Sequence, residues 1–244
     1  MIKFFRKIRQ QLLTENKINK YILYAIGEIV LVVIGILIAL SINNWNETKK
    51  LRNRETKLLS ELTLNLDTNI INLEKDIKTQ KRGLWCINYI IDHVDHKRPF
   101  NDSLPNYLQI ANQAPDVVLT SSAFETLKSS GIELIESDSL RKEITHLYEV
   151  VYPTLMQETR RLEDQVWSTA VVPLYQKHFR NDIKSNIWIP NDYETWLKDK
   201  EFINMLSFRG RLRIQSTDRK EKVAKQTIAV QKLIKEVLNK RNPD

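Results

Sequence analysis

The chain has 244 residues, with five glycines, seven prolines, one cysteine and a formal charge of +8. Scarce glycine and proline favour helices over a sheet sandwich, and a single cysteine excludes an intramolecular disulfide and an all-cysteine zinc site. The length accommodates a membrane segment plus one domain of about 200 residues.

The charge is unevenly placed: residues 1–20 hold six Lys/Arg against one acid, Glu15. In "MIKFFRKIRQQLL", Ile2, Phe5, Ile8 and Leu12 recur at helical spacing, while Lys3, Arg6, Lys7 and Arg9 fill much of the rest. That pattern predicts a short amphipathic helix on an anionic, cytoplasmic membrane surface; an ordinary solvated helix is the plainer alternative. A nucleic-acid partner is not expected, because downstream cations alternate with acids in the manner of solvated helix faces.

Residues 21–42 follow, apolar apart from Glu28. A helix of 22 residues is roughly 33 Å long, close to the hydrocarbon thickness. Tyr21 and Tyr24 sit at one end and Trp45 at the other, as in an interfacial aromatic belt. The run exceeds the apolar core of a cleaved signal peptide, so an uncleaved signal anchor is expected. Lys49, Lys50, Arg52, Arg54 and Lys57 flank the far end. The positive-inside rule therefore favours a cytoplasmic N-terminus only by a small margin. The expected location is the inner membrane, single-pass, with the bulk of the chain periplasmic.

Glu28, Gly35 and Ala39 share one helix face, and Tyr24 lies on the same side. Gly35 and Ala39 form a small-xxx-small pair that permits close helix approach. An acid at such depth is costly against lipid and belongs against protein or water. The expectation is a homo-oligomer with Glu28, Gly35, Ala39 and Tyr24 at the transmembrane interface. Snorkelling of Glu28 to the headgroups is the alternative.

The stretch "KFFRKIRQQLLTENKINKYILYAIGEIVLVVIGILIALSINNWNE" resembles the N-terminus of an uncharacterised family of single-span membrane proteins common in Bacteroidota. The later "FETLKSSGIELIESDSLRKEITHLYE" is similar to a second signature of the same group. The resemblance implies membrane placement and helical content, and it supplies no catalytic residues.

Beyond the span, residues 43–244 are expected to form an extracytoplasmic domain: an all-α fold, an elongated antiparallel helical bundle following one N-terminal transmembrane helix. From Trp45 to Lys97 there is no proline and one glycine, Gly83. Leu51, Leu58, Leu62, Leu66, Ile70, Leu73, Ile77, Leu84, Ile87, Ile91 and Val94 repeat every three or four residues. This predicts one amphipathic helix, with a bend at Gly83. No helix breaker separates it from the span, so the two are expected to be continuous.

"KRPFNDSLPN" ends that helix, and a short helix over Tyr107–Asn112 follows. Ser122 and Glu125 have capping-box spacing, and Gly131 suits a helix end. Ser137, Asp138 and Ser139 offer caps for a long helix running to about Phe179, kinked at Pro153 and Pro173. "RNDIKSNIWIPNDYETW" is expected to be irregular, with a capping box at Asn191 and Glu194. A last helix, Asp199 to about Lys240, carries Phe202, Ile203, Leu206, Ile214, Ile228, Ile234 and Leu238 as its apolar residues.

Signatures of catalysis are missing from the sequence: no glycine-rich phosphate loop, no nucleophile elbow and no His-Glu-x-x-His. His93 and His96 in "DHVDHK" are spaced to begin a zinc site, but a polar helix end is the preferred reading. Trp85, Trp167, Trp188 and Trp196 read as packing residues, with an aromatic ligand pocket in "NIWIPNDYETW" as the sharper alternative. The basic cluster Arg209–Lys225 reads as a solvated helix face.

These observations lead to a non-enzymatic, membrane-anchored scaffold or extracytoplasmic sensor. It needs no cofactor or metal; its partners are the lipid bilayer, further copies of itself and an unidentified protein. An ion- or proton-coupled component using Glu28 is the alternative.

Overall fold

The computed structural model describes residues 18–113 and 117–241, apart from the side chains of residues 18–21, 24 and 159–164. Lys3, Arg6, Lys7 and Arg9 lie outside the described residues, as does the Tyr24 side chain. Among the described residues the fold is all-α except for one small hairpin. The chain divides into two compact units, residues 1–55 and 56–244.

A single helix, α1, covers Ile18–Asp95, 78 residues without interruption. Its N-terminal part carries an apolar run that is long enough, by length and composition, to cross a membrane. Apart from the half-buried Ala25 and Glu28, the described side chains from Ile22 to Ile42 are exposed within the first unit, Ile34 at 50% and Leu37 at 57%. A soluble core helix hides one stripe; this stretch hides none.

In the second unit α1 behaves differently. Leu59, Leu62, Leu66, Asn69, Leu73, Asp76, Gln80, Gly83, Ile87, Ile90 and Val94 are all buried, at alternating spacings of three and four. They face the last helix, α8, Lys200–Arg241. Lys220 meets Asp76, Gln231 meets Asp67, and Arg241 meets Thr56. Partner numbers fall on one helix as they rise on the other, so the two run antiparallel. Ile214 and Ile228, expected on the apolar face of α8, are instead about half exposed. Ile234, Phe202 and Leu206 are buried as expected.

The connecting segments hang on this pair. Helix α2 covers Leu104–Asn112, and α3 covers Ser122–Ser130. The capping box at Ser122 and Glu125 does not form. The α3 N-terminus is served by α1 instead: Asn65 Oδ1 accepts from the Ala123 amide at 2.9 Å and from the Ser122 hydroxyl at 3.2 Å. Asn69 exchanges two bonds with the Thr120 backbone, at 2.7 and 3.0 Å, and Asn72 donates to Val118 O at 2.9 Å. Three side chains one helical turn apart thus pin an extended segment whose backbone groups need partners. Gly131 ends α3 with φ +96°, a conformation that favours glycine.

Ser137 caps α4, Asp138–His146, through the Leu140 amide, as its position predicts. The helix then passes both prolines by the same device. A π-turn at Leu147–Val151 precedes α5, Tyr152–Val166. A second at Trp167–Val171 precedes α6, Val172–His178. Pro153 and Pro173 have no amide hydrogen to donate. In each case the residue just before proline bonds five residues back, Tyr152 to Leu147 O and Val172 to Trp167 O. The extra residue in each turn is how the chain absorbs the proline.

The segment expected to be irregular contains an antiparallel hairpin, β1 (Phe179–Asp182) and β2 (Ile187–Pro190), with Phe179 opposite Pro190. Helix α7, Tyr193–Leu197, is capped by Asp192 rather than Asn191.

Candidate functional site

Two apolar clusters fill the second unit. One joins Leu59, Leu66 and Leu73 to Phe124, Ile144 and Val230. The other joins Ile87 and Ile90 to Leu108, Tyr175, Trp196 and Phe202. Between them along the α1–α8 seam the buried residues are charged or polar: Asp76 and Gln80 on α1, Arg209, Arg213 and Lys220 on α8. Lys220 is 0% exposed, Arg209 1% and Arg213 2%. Three members of the basic cluster expected to be a solvated face, Arg209, Arg213 and Lys220, therefore lie in the interior, while Arg211, Lys222 and Lys225 are exposed as expected.

Burying a cation is costly unless it is paired and hydrogen-bonded, and each of these is. The Lys220 ammonium bonds Asp76 Oδ2. Arg213 donates to Gln80 Oε1 at 2.7 Å, to Ala111 O at 3.0 Å and to Gln113 O. Arg209 donates to Ala111 O at 3.0 Å and Asn112 O at 3.4 Å. The last carbonyls of a helix have no intrahelical donor and carry partial negative charge. Two guanidiniums satisfy those of α2 and hold its C-terminal end against the seam. Gly83 makes this feasible: a methyl group there would collide with the Arg213 guanidinium. The glycine is thus a seat for a buried arginine. Arg209 also lies over the Trp167 ring, 5.5 Å from its centre, which ties the second π-turn to the same layer.

A second polar cluster closes the turn into α8. Asp199 accepts from His178 Nε2 at 2.5 Å, Lys177 Nζ at 2.6 Å and the Glu201 and Phe202 amides at 2.8 and 3.3 Å. Burial alone raises its pKa, but the bonds from Lys177, His178 and the two amides outweigh burial and hold the carboxyl far below the usual range. This is a helix cap joined to the preceding helix.

The histidines weighed as zinc ligands turn to separate partners. His93, buried, meets the Tyr193 hydroxyl at 2.6 Å. That hydroxyl donates its one proton to Arg98 O, also at 2.6 Å, so His93 Nε2 supplies the hydrogen between them. Burial, then the Arg98 guanidinium, depress the His93 pKa. His96 is exposed and pairs with Asp92. No group of three or more His, Cys, Asp or Glu with metal-holding geometry occurs among the described residues.

The tryptophans divide. Trp196 is wholly buried and Trp188 packs edge-on against Tyr175. Trp85 is 54% exposed and stacks on Tyr89. The Cys86 thiol is buried and its pKa is raised, chiefly by that burial, which keeps it in the unreactive thiol form. In the first unit Glu28 is partly covered, Ala39 is exposed, and a side chain placed at Gly35 would meet nothing within 4 Å. The face carrying Glu28, Gly35 and Ala39 is therefore open at the glycine.

The charged layer escaped sequence reasoning, yet its signal was present. With Thr217 between them, Arg209, Arg213 and Lys220 keep the same three-and-four spacing as Phe202, Leu206, Val223, Thr227, Val230 and Ile234, which places them on one stripe. A family model, described as a family of unknown function, DUF6090, matches residues 28–209, from Glu28 in the apolar run to Arg209 in the charged layer. No curated protein and no solved structure matches the chain. Spanning most of its length, the match makes this chain a member of DUF6090.

Proposed function

We propose that the protein is a non-enzymatic, single-pass membrane anchor carrying a helical bundle that serves as an extracytoplasmic scaffold or sensor. The observation that carries this reading is the bare apolar run: some twenty consecutive positions of α1 expose Ile, Leu and Val in every direction within their unit. Fourteen such side chains, Ile22 to Ile42, in water are untenable, and a bilayer is the solvent that fits their length. The bundle supports a structural role, since its buried cations hold helix ends and a carboxylate in place. The open face at Gly35 suits a second copy of the span, with Glu28 inside the interface.

The test is a pair of reporters fused after Asp244, one active only in the periplasm and one only in the cytoplasm, with carbonate extraction of the membranes. An active periplasmic reporter on a carbonate-resistant chain is expected. Release by carbonate contradicts the anchor, and an active cytoplasmic reporter reverses the orientation.

A further inference from the structure

Past the apolar run, α1 carries Trp45 and then the exposed Lys49, Lys50, Arg52 and Arg54, with the exposed Glu47 and the buried Glu55 as the acids over residues 46–55. We infer that this segment is a binding collar for anionic lipid headgroups. The inference rests on the membrane reading above and names the lipid chemistry that reading leaves open.

Position is the first argument. At about 1.5 Å per residue, Lys49 lies about 10 Å beyond Ile42, and Arg54 about 18 Å beyond it. The headgroup layer is about 5–8 Å deep on each side of the hydrocarbon. Lys49 and Lys50 therefore reach its outer edge, and Arg52 and Arg54 lie about one Debye length further out. Distribution is the second. At about 100° per residue the four cations spread over an arc of about 200°, wider than one helix face. A helix surrounded by lipid meets headgroups on all sides, and a collar suits that geometry where a stripe suits a protein partner.

The local contacts agree. The Lys49 ammonium sits over the Trp45 ring, 5.4 Å from its centre, next to a residue type that prefers the interface. Lys50 pairs with Glu47 at 2.9 Å, both side chains more than half exposed. Such a surface pair is weak and yields readily to a phosphate. The third argument is a cost. Basic residues on this side work against the orientation signal of the basic N-terminus. Contact with anionic headgroups gives the collar a role that offsets this conflict.

The experiment uses the full chain reconstituted in nanodiscs of mixed phosphatidylcholine and phosphatidylglycerol, with the lipids retained by the protein counted by native mass spectrometry. Lys49→Gln with Lys50→Gln should lower the preference for phosphatidylglycerol by at least about fivefold, as expected for cations at a charged surface. Adding Arg52→Gln and Arg54→Gln should lower it further. Lys222→Gln with Lys225→Gln, exposed positions on α8, should leave it at the wild-type value. An unchanged preference in the collar variants, or an equal loss in the α8 control, overturns the inference while the anchor stands. A chain that fails to float with vesicles at all overturns the anchor and the collar together.

Discussion

Residues 22–42 and the α1–α8 seam reverse the ordinary rule of a globular protein. In the first the apolar side chains are outside, with Ile34 half exposed; in the second a lysine, Lys220, is completely covered. Both lie along α1 or against it, and both depart from what composition alone leads one to expect. The apolar run shows that apolar side chains can lie outside over some twenty residues, and the seam shows that a charge is inside when its partners are fixed. Burial thus follows pattern and pairing more closely than residue type.

The largest effect should come from breaking the pairing. Lys220→Leu leaves the Asp76 carboxylate buried beside an apolar group, at a cost of about 3–5 kcal/mol. Adding Asp76→Leu should return stability to within about 2 kcal/mol of wild type or raise it above, because a well-packed apolar pair often replaces a buried ion pair without loss. Guanidinium unfolding of the full chain in detergent, followed by circular dichroism, measures both. If Lys220→Leu unfolds like wild type, the ion pair is open to water and the contrast with the apolar run fails.

Next in size is Asp199. Asp199→Ala removes a helix cap and the acceptor of the Lys177 and His178 bonds, and should cost about 2 kcal/mol. Its folded-state pKa is depressed, so its contribution is present above the unfolded value of about 3.9 and is lost as pH falls below it. Stability measured between pH 5 and about pH 2 should therefore drop. Asp199→Asn, which still caps, should flatten that drop.

The smallest effect sharpens the comparison on a single helix. Gly83→Ala gains about 1 kcal/mol of helix propensity but pushes a methyl group at Arg213, for a net loss of about 1 kcal/mol. Gly35→Ala meets no atom of its own chain and should leave the unfolding of the bundle unchanged. Thermal unfolding of both variants, with Gly83→Ala repeated in an Arg213→Met background, separates seat from propensity. Equal behaviour of the two glycines would remove the seat.

Local chemistry was readable: the uninterrupted helix to Asp95, the cap at Ser137, the end at Gly131 and the disturbance at each proline all follow from neighbours in sequence. What escaped depends on distant partners. Asn65, Asn69 and Asn72 serve groups some fifty residues downstream, so nothing near them marks their role. The hairpin is only four residues per strand and lacks alternation, hence no period-two signal. Arg209, Arg213 and Lys220 were set aside by charge although their spacing was that of the core.

The central claim is that residues 22–42 reside in hydrocarbon while the residues after them do not. Single cysteines placed through residues 22–57 of the full chain, in a Cys86→Ala background, can be tested in intact membranes with a water-soluble maleimide. Cys86 is buried, so its replacement removes background labelling at little structural cost. The account predicts one unreactive block ending near Ile42, followed by reactive positions at Asn46, Glu47 and Lys49. Labelling at comparable rates through the whole apolar run would contradict it.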